Sequence, residues 1–211
     1  MQMYNKQVII HKVDEMFENL KERSQEIISI NSDLSTASKA IVKMVSSEIS
    51  IRSQTLFTDM YAEMSEKTLS TSIFDDPERQ SRFYEANIRG DILSKYKLDI
   101  TSISAVQTGI NYNEVNRLYL STAAAAGTAA IGGVLKYVLS AGKTVSIALI
   151  IAGAVAAFSI SYFKGAPHLT KVSFQKGLEE FLSDTKNEFI LWFDEVERYY
   201  HEQINNLIKT F

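Results

Sequence analysis

The chain has 211 residues, 45% of them hydrophobic and 22% charged, a globular balance that excludes a disordered chain. Its formal charge of −3, with no dense block of Lys and Arg, argues against nucleic acid as a partner, because phosphate binding needs clustered cations. Zero Cys excludes disulfides, thiol catalysis and thiolate metal sites, and only 9 Gly and 2 Pro leave long stretches free to be helical.

The first element is an amphipathic helix over about 3–30, with apolar positions Ile9, Val13, Met16, Leu20, Ile27 and Ile30 in steps of three and four. Asn31-Ser32-Asp33 is either a joint with a fresh N-cap or a polar patch inside one longer helix. The pattern resumes as Leu34, Ala37, Ile41, Met44 or Val45, Ile49, Leu56, Met60 and Met64, in nearly the same phase, so the two helices could be continuous to about Ser70. Met16, Met44, Met60 and Met64 are expected to fill core gaps.

Thr71 to Asp76 breaks the pattern, and Asp76-Pro77-Glu78 starts the next helix with an N-cap acid, Pro in the first turn and an acid behind it. That helix carries Phe83, Tyr84, Ile88, Ile92, Tyr96, Ile100, Ile103 and Val106, with Gly90 inside it, and leaves at Gln107-Thr108-Gly109. Asn111 or Asn113 would cap the helix that follows. After Lys164-Gly165-Ala166-Pro167 a last helix runs from Thr170 to Phe211 with Phe174, Leu178, Phe181, Phe189, Trp192 or Phe193, Val196, Tyr200, Ile204, Leu207 and Phe211. Comparable helix lengths predict an all-α, elongated bundle with coiled-coil-like seams, in which this aromatic-rich helix is the core member. The expected division is N-terminal helical arms over 1–112, a hydrophobic hairpin over 113–164, and a C-terminal amphipathic helix over 165–211 packing on the arms.

The hairpin is the distinctive part. Between Leu118 and Phe163 the only formal charges are Lys136 and Lys143. Residues 145–163 carry none and as a helix would cover about 28 Å of a bilayer core of roughly 30 Å. Residues 118–139 form a weaker, Gly-punctuated partner span, joined through Ser140-Ala141-Gly142-Lys143-Thr144. Two consecutive helices that are apolar all round exceed what the rest of a chain this size can cover.

Aromatic side chains stand where a membrane interface would hold them: Tyr112 and Tyr119 at the entrance, Tyr137 near the turn, Tyr162 and Phe163 at the exit. Ala125, Ala129 and Gly133 in the first span, and Ala148, Ala152 and Ala156 in the second, recur every four positions, with Gly153 and Ala157 beside them. Such rows permit close helix approach in lipid, within one hairpin or between protomers, while Ile150 and Phe158 add apolar bulk. Arg117, Lys164, Lys171 and Lys176 flank the entrance and exit, against Lys136 and Lys143 at the turn, which favours both termini on the cytoplasmic side. Lys136 lies about one helical turn from the connection that begins at Ser140 and can snorkel. No secretory signal is expected: the opening apolar run, Val8 to Ile10, is too short.

Catalytic patterns fail. Gly142-Lys143-Thr144 imitates the end of a phosphate-binding loop, but position 137 is Tyr where Gly is required. His201-Glu202 opens like a zinc-protease motif, yet the second ligand position is Asn205, and His11, His168 and His201 lack metal spacing. Asp75-Asp76 reads as helix capping, and Glu179-Glu180, Glu195 and Glu197 as solvated helix faces. No cofactor or metal is expected, and no enzymatic role.

The layout of helical arm, Ala/Gly-rich hydrophobic hairpin and returning aromatic-rich arm resembles two classes. Over roughly 113–211 it is similar to the stalk and membrane paddle of bacterial dynamin-like and mitofusin-like proteins, without their GTPase domain. It also resembles the cytolysin-A type of α-helical pore-forming toxin, though the chain is short for that class. These resemblances imply a bilayer as partner and assembly as a homo-oligomer or with partner helical subunits. Three functions stay open: a pore-forming or membrane-permeabilising bundle, a constitutively anchored scaffold, and a helical interaction module with a buried hairpin. The localisation they imply is membrane-associated, either on the bacterial cytoplasmic side or as a released protein that is soluble before insertion.

Overall fold

A computed structural model describes residues 6–96 and 170–211. The described part is all-α and holds no strand: α1 Lys6–Ile30, α2 Leu34–Leu69, a 3₁₀ turn Ser72–Phe74, α3 Pro77–Glu85, α4 Ile88–Tyr96 and α5 Lys171–Ile208. The 1–112 arm and the 165–211 arm are thus seen in part, and the whole hairpin over 113–164 lies outside the described residues.

Of the two readings of Asn31-Ser32-Asp33, the joint is the one found. The Asp33 carboxylate accepts hydrogen bonds from the Ser35 and Thr36 amides and starts α2 afresh. The Asn31 side-chain amide donates to the Ile27 carbonyl at 2.7 Å and closes α1. Lys12 pairs with Asp59 and Arg23 with Glu48, so α1 and α2 run antiparallel. The same test makes α5 antiparallel to α1: Lys6 meets Asp194, Asp14 meets Lys186 and Lys21 meets Glu179. These exposed pairs report register more than they hold the fold, since water screens them. Burial holds it. Ile9, Val13, Met16, Phe17 and Leu20 of α1 join Ile41, Val45, Ile49, Leu56, Met60 and Met64 of α2 and the inward face of α5 in one core. The methionines fill that core as expected, with Met44 at its margin.

Three apolar expectations fail at helix ends. Ile30 is 79% exposed, Tyr84 66% and Phe211 37%, because each sits where its helix runs out and the packing around it thins. The expected single helix from Pro77 is also interrupted. It stops at Glu85, and Asn87 takes a left-handed backbone (φ 45°) before α4 resumes at Ile88. Asn tolerates that conformation better than most residues, and its side chain lies over Gly90, where a Cβ would come within 2.4 Å of Asn87 Nδ2. Gly90 is therefore there for close approach. The expected continuation through Ile100, Ile103 and Val106 lies outside the described residues.

α5 is the core member. Thr170 caps it, and Phe174, Leu178, Phe181, Phe189, Trp192, Phe193, Val196, Tyr200 and Ile204 are all buried against α1, α2 and α4. Phe17 meets Phe189, Tyr96 meets Trp192 edge-on, and Tyr61 meets Tyr200 edge-on. At the far end Phe74 takes Phe83 on one side and Phe211 on the other. The core also holds Ser24, Ser46, Ser50 and Ser53, which periodicity of apolar residues passes over. Ser24 donates to the Leu20 carbonyl and Ser53 to the Ser50 carbonyl, so these hydroxyls are satisfied within their own helices.

Candidate functional site

Every residue expected in the membrane lies outside the described residues: Tyr119, Ala125, Ala129, Gly133, Tyr137, Ala148, Ile150, Ala152, Gly153, Ala156, Phe158 and Tyr162. So do the flanks Arg117, Lys136, Gly142, Lys143 and Lys164. The described residues on either side of that segment are the end of α4 and the start of α5. The Tyr96 hydroxyl donates to the Glu195 carbonyl at 3.2 Å, and its ring meets Trp192 and Tyr199. Burial, reinforced by the nearby Glu195 charge, pushes the Tyr96 phenol far above its ordinary range.

Thr170 Oγ1 accepts from the Ser173 amide at 3.2 Å and starts α5. Beside it the Lys171 ammonium reaches the Ile28 carbonyl at 3.5 Å, which ties the start of α5 to the end of α1. These two contacts are far apart: Glu195 stands about 38 Å along α5 from Thr170 at the usual helical rise.

Between them α5 carries an unusual core group. Glu188 is 3% exposed, and its Oε1 has no hydrogen-bond partner. One turn further on, the Trp192 indole N–H is likewise buried without a partner. Burial, with a smaller push from Asp184 one turn back, raises the Glu188 carboxyl from 4.5 to about 7. Sequence reading missed Glu188 because a lone Glu at one helical position looks like any solvated face. Only the packing of α1 and α2 on α5 removes its water. Glu195 sits among the expected solvated carboxylates, and its carboxylate pairs with Arg198.

The outer faces are charged but unevenly paired. An open groove of about 440 Å³ between α1 and α2 is lined by Lys12, Glu15, Glu48, Arg52 and Asp59, and its cations are already matched to Asp59 and Glu48. A second groove of about 300 Å³, between α1 and the start of α5, is lined by Lys21, Gln25, Val172, Gln175, Lys176 and Glu179, with Lys21 paired to Glu179. Lys39, Lys43, Lys171 and Lys176, all in the half of the bundle near the α1–α2 turn, have no carboxylate within ion-pair distance among the described residues. At the other end the cations without a carboxylate are mostly held in other ways. Arg79 lies over the Phe211 ring, Arg89 donates to Thr58 Oγ1, and Lys95 lies 3.6 Å from the centre of the Tyr199 ring.

His11 faces Glu15 at 3.3 Å and His201 faces Glu197 at 3.7 Å, each one turn away on its own helix. Among the described residues no group of three or more His, Asp or Glu is placed to hold a metal ion. None of the described helices is long and apolar enough to cross a membrane. No protein-family model, no curated protein and no solved structure matches the chain.

Proposed function

We propose that the chain is a membrane-inserting helical protein that permeabilises a bilayer. An elongated helical bundle carries the apolar segment 118–163, which inserts and associates between protomers through its small-residue rows. A contrast of surfaces carries this reading. Each long described helix buries one apolar side and exposes a charged one, whereas 145–163 has no charge on any side. The described helices bury their apolar faces in one core of their own. Nothing in this reading requires catalysis, a cofactor or a metal. It needs a lipid bilayer and further copies of the chain or a helical partner.

The test is dye release from liposomes by the full chain purified without detergent, beside Gly133→Glu and Ala156→Glu. Release by the unsubstituted chain, lost in both variants while circular dichroism keeps its helical content, supports the proposal. Flotation with the vesicles but no release overturns it in favour of a membrane-anchored scaffold. Neither flotation nor release overturns it in favour of a helical interaction module. Release undiminished by both substitutions would show that 118–163 is not the inserting segment.

A further inference from the structure

The bundle has two unlike ends. At one, the α1–α2 turn and the first two turns of α5 come together, tied by the Lys171 ammonium at the Ile28 carbonyl. Over 24–40 and 170–177 the formal charges are Glu26, Asp33, Lys39, Lys171 and Lys176. The Asp33 carboxylate is already engaged by the Ser35 and Thr36 amides and the Thr36 hydroxyl. The three lysines are exposed and have no carboxylate partner among the described residues.

Among them stand the two most exposed large apolar side chains of the described residues, Ile30 at 79% and Val172 at 75%. At the opposite end acids and bases are more nearly balanced, and most of the cations are engaged: Lys67 with Glu63, Arg82 with Glu78, Arg79 over the Phe211 ring and Lys95 over the Tyr199 ring.

Chain length then fixes which end can lie near a bilayer. Only 164–169 separate Phe163 from the cap at Thr170, so even a fully extended chain keeps Thr170 within about 25 Å of the last apolar residue. On the other side, 97–117 could span about 75 Å fully extended, so Tyr96 imposes no such limit. The opposite end lies about 57 Å from Thr170 along α5.

From this we infer that the end formed by the α1–α2 turn and the start of α5 is the face that docks on an anionic lipid surface. Ile30 and Val172 enter the headgroup layer, and Lys39, Lys171 and Lys176 lie against lipid phosphates. The opposite end, whose cations are mostly engaged within the fold, offers such a surface less. This rests on the insertion of 118–163 proposed above, but it concerns the step before insertion. Each lysine brought to such a surface is worth roughly a fivefold gain in binding, and salt screens the effect within about 10 Å at 0.1 M.

The experiment uses the full chain in the insertion-blocked Ala156→Glu background, so that docking is read apart from permeabilisation. Co-sedimentation is measured with vesicles of phosphatidylcholine alone and of phosphatidylcholine with phosphatidylglycerol at three to one. Binding to the mixed vesicles is expected to exceed binding to the neutral ones and to fall as salt rises. Lys39→Gln, Lys171→Gln and Lys176→Gln together should weaken it by roughly a hundredfold. Ile30→Gln with Val172→Gln should weaken binding further, and Lys67→Gln with Lys209→Gln at the opposite end should not.

The substituted side chains are exposed, so circular dichroism is expected to be unchanged in each variant. Equal binding by the triple variant, or equal loss from the Lys67 and Lys209 variant, overturns the inference. Docking by the Ala156→Glu chain alongside no dye release from the unsubstituted chain leaves docking standing and removes only the permeabilisation reading.

Discussion

Glu188→Gln isolates the cost of placing an ionisable group in the core of α5. The folded carboxyl titrates at about 7 against an ordinary value of 4.5, because burial and then Asp184 disfavour the anion. A raised acid pKa means that the folded state holds its proton more tightly than the unfolded chain. The associated stability is therefore fully present below pH 4.5. It is lost as pH rises toward 7, and above that the loss is complete. At 1.36 kcal/mol per unit the loss sums to about 3 kcal/mol, or about 6–12 °C in Tm for a chain of this size.

Gln keeps the shape and removes the titration. The assay is thermal or urea unfolding followed by circular dichroism at steps from pH 4.5 to 8, for both chains in the same buffers. The stability of Glu188→Gln relative to the unsubstituted chain should rise by about 3 kcal/mol across that window, most steeply between pH 5 and 7. All other titrating groups are common to both chains and cancel in the difference. Parallel curves would refute the reasoning and place Glu188 in contact with water or a hydrogen-bond donor.

The break between α3 and α4 yields a double-mutant cycle. Gly90→Ala should be close to neutral alone, because its Cβ displaces the Asn87 side chain, but should stabilise by about 1 kcal/mol in an Asn87→Gly background. Equal effects in both backgrounds, read from urea midpoints, would exclude the contact. Tyr200→Phe removes the 2.8 Å hydrogen bond between the Tyr200 and Thr68 hydroxyls and should cost about 1 kcal/mol, seen as a Tm lower by a few degrees. No loss in Tm would mean that the bond contributes nothing net.

Much of the fold follows from residue spacing alone. The buried faces of α1, α2 and α5 match the three-and-four steps from Ile9 to Leu20, Ala37 to Met64 and Phe174 to Ile204, because a helix must bury its apolar stripe somewhere. Starts were legible too: Asp76-Pro77 caps α3 because the motif is local chemistry between neighbouring residues. The apolar run 118–163, which carries the functional proposal, is likewise a property of sequence alone.

What sequence left open was whatever depends on residues far away in the chain. The phase shared by α1 and α2 allowed one long helix, and the Asp33 cap together with pairing between Lys12 and Asp59 shows two antiparallel ones. Spacing cannot see a fold-back, since periodicity is unchanged by the direction of the next helix. It could not see the break at Asn87 either, where a left-handed residue and an unbranched Gly90 backbone replace a regular turn. Nor could it tell Glu188 from the solvated Glu179 and Glu180 beside it, as only the helices packed over α5 decide which carboxylate loses its water. Local chemistry settles where helices begin and which side they bury. Tertiary packing alone settles which polar group is stranded inside, and which end of the bundle gathers Ile30, Val172 and the exposed Lys39, Lys171 and Lys176.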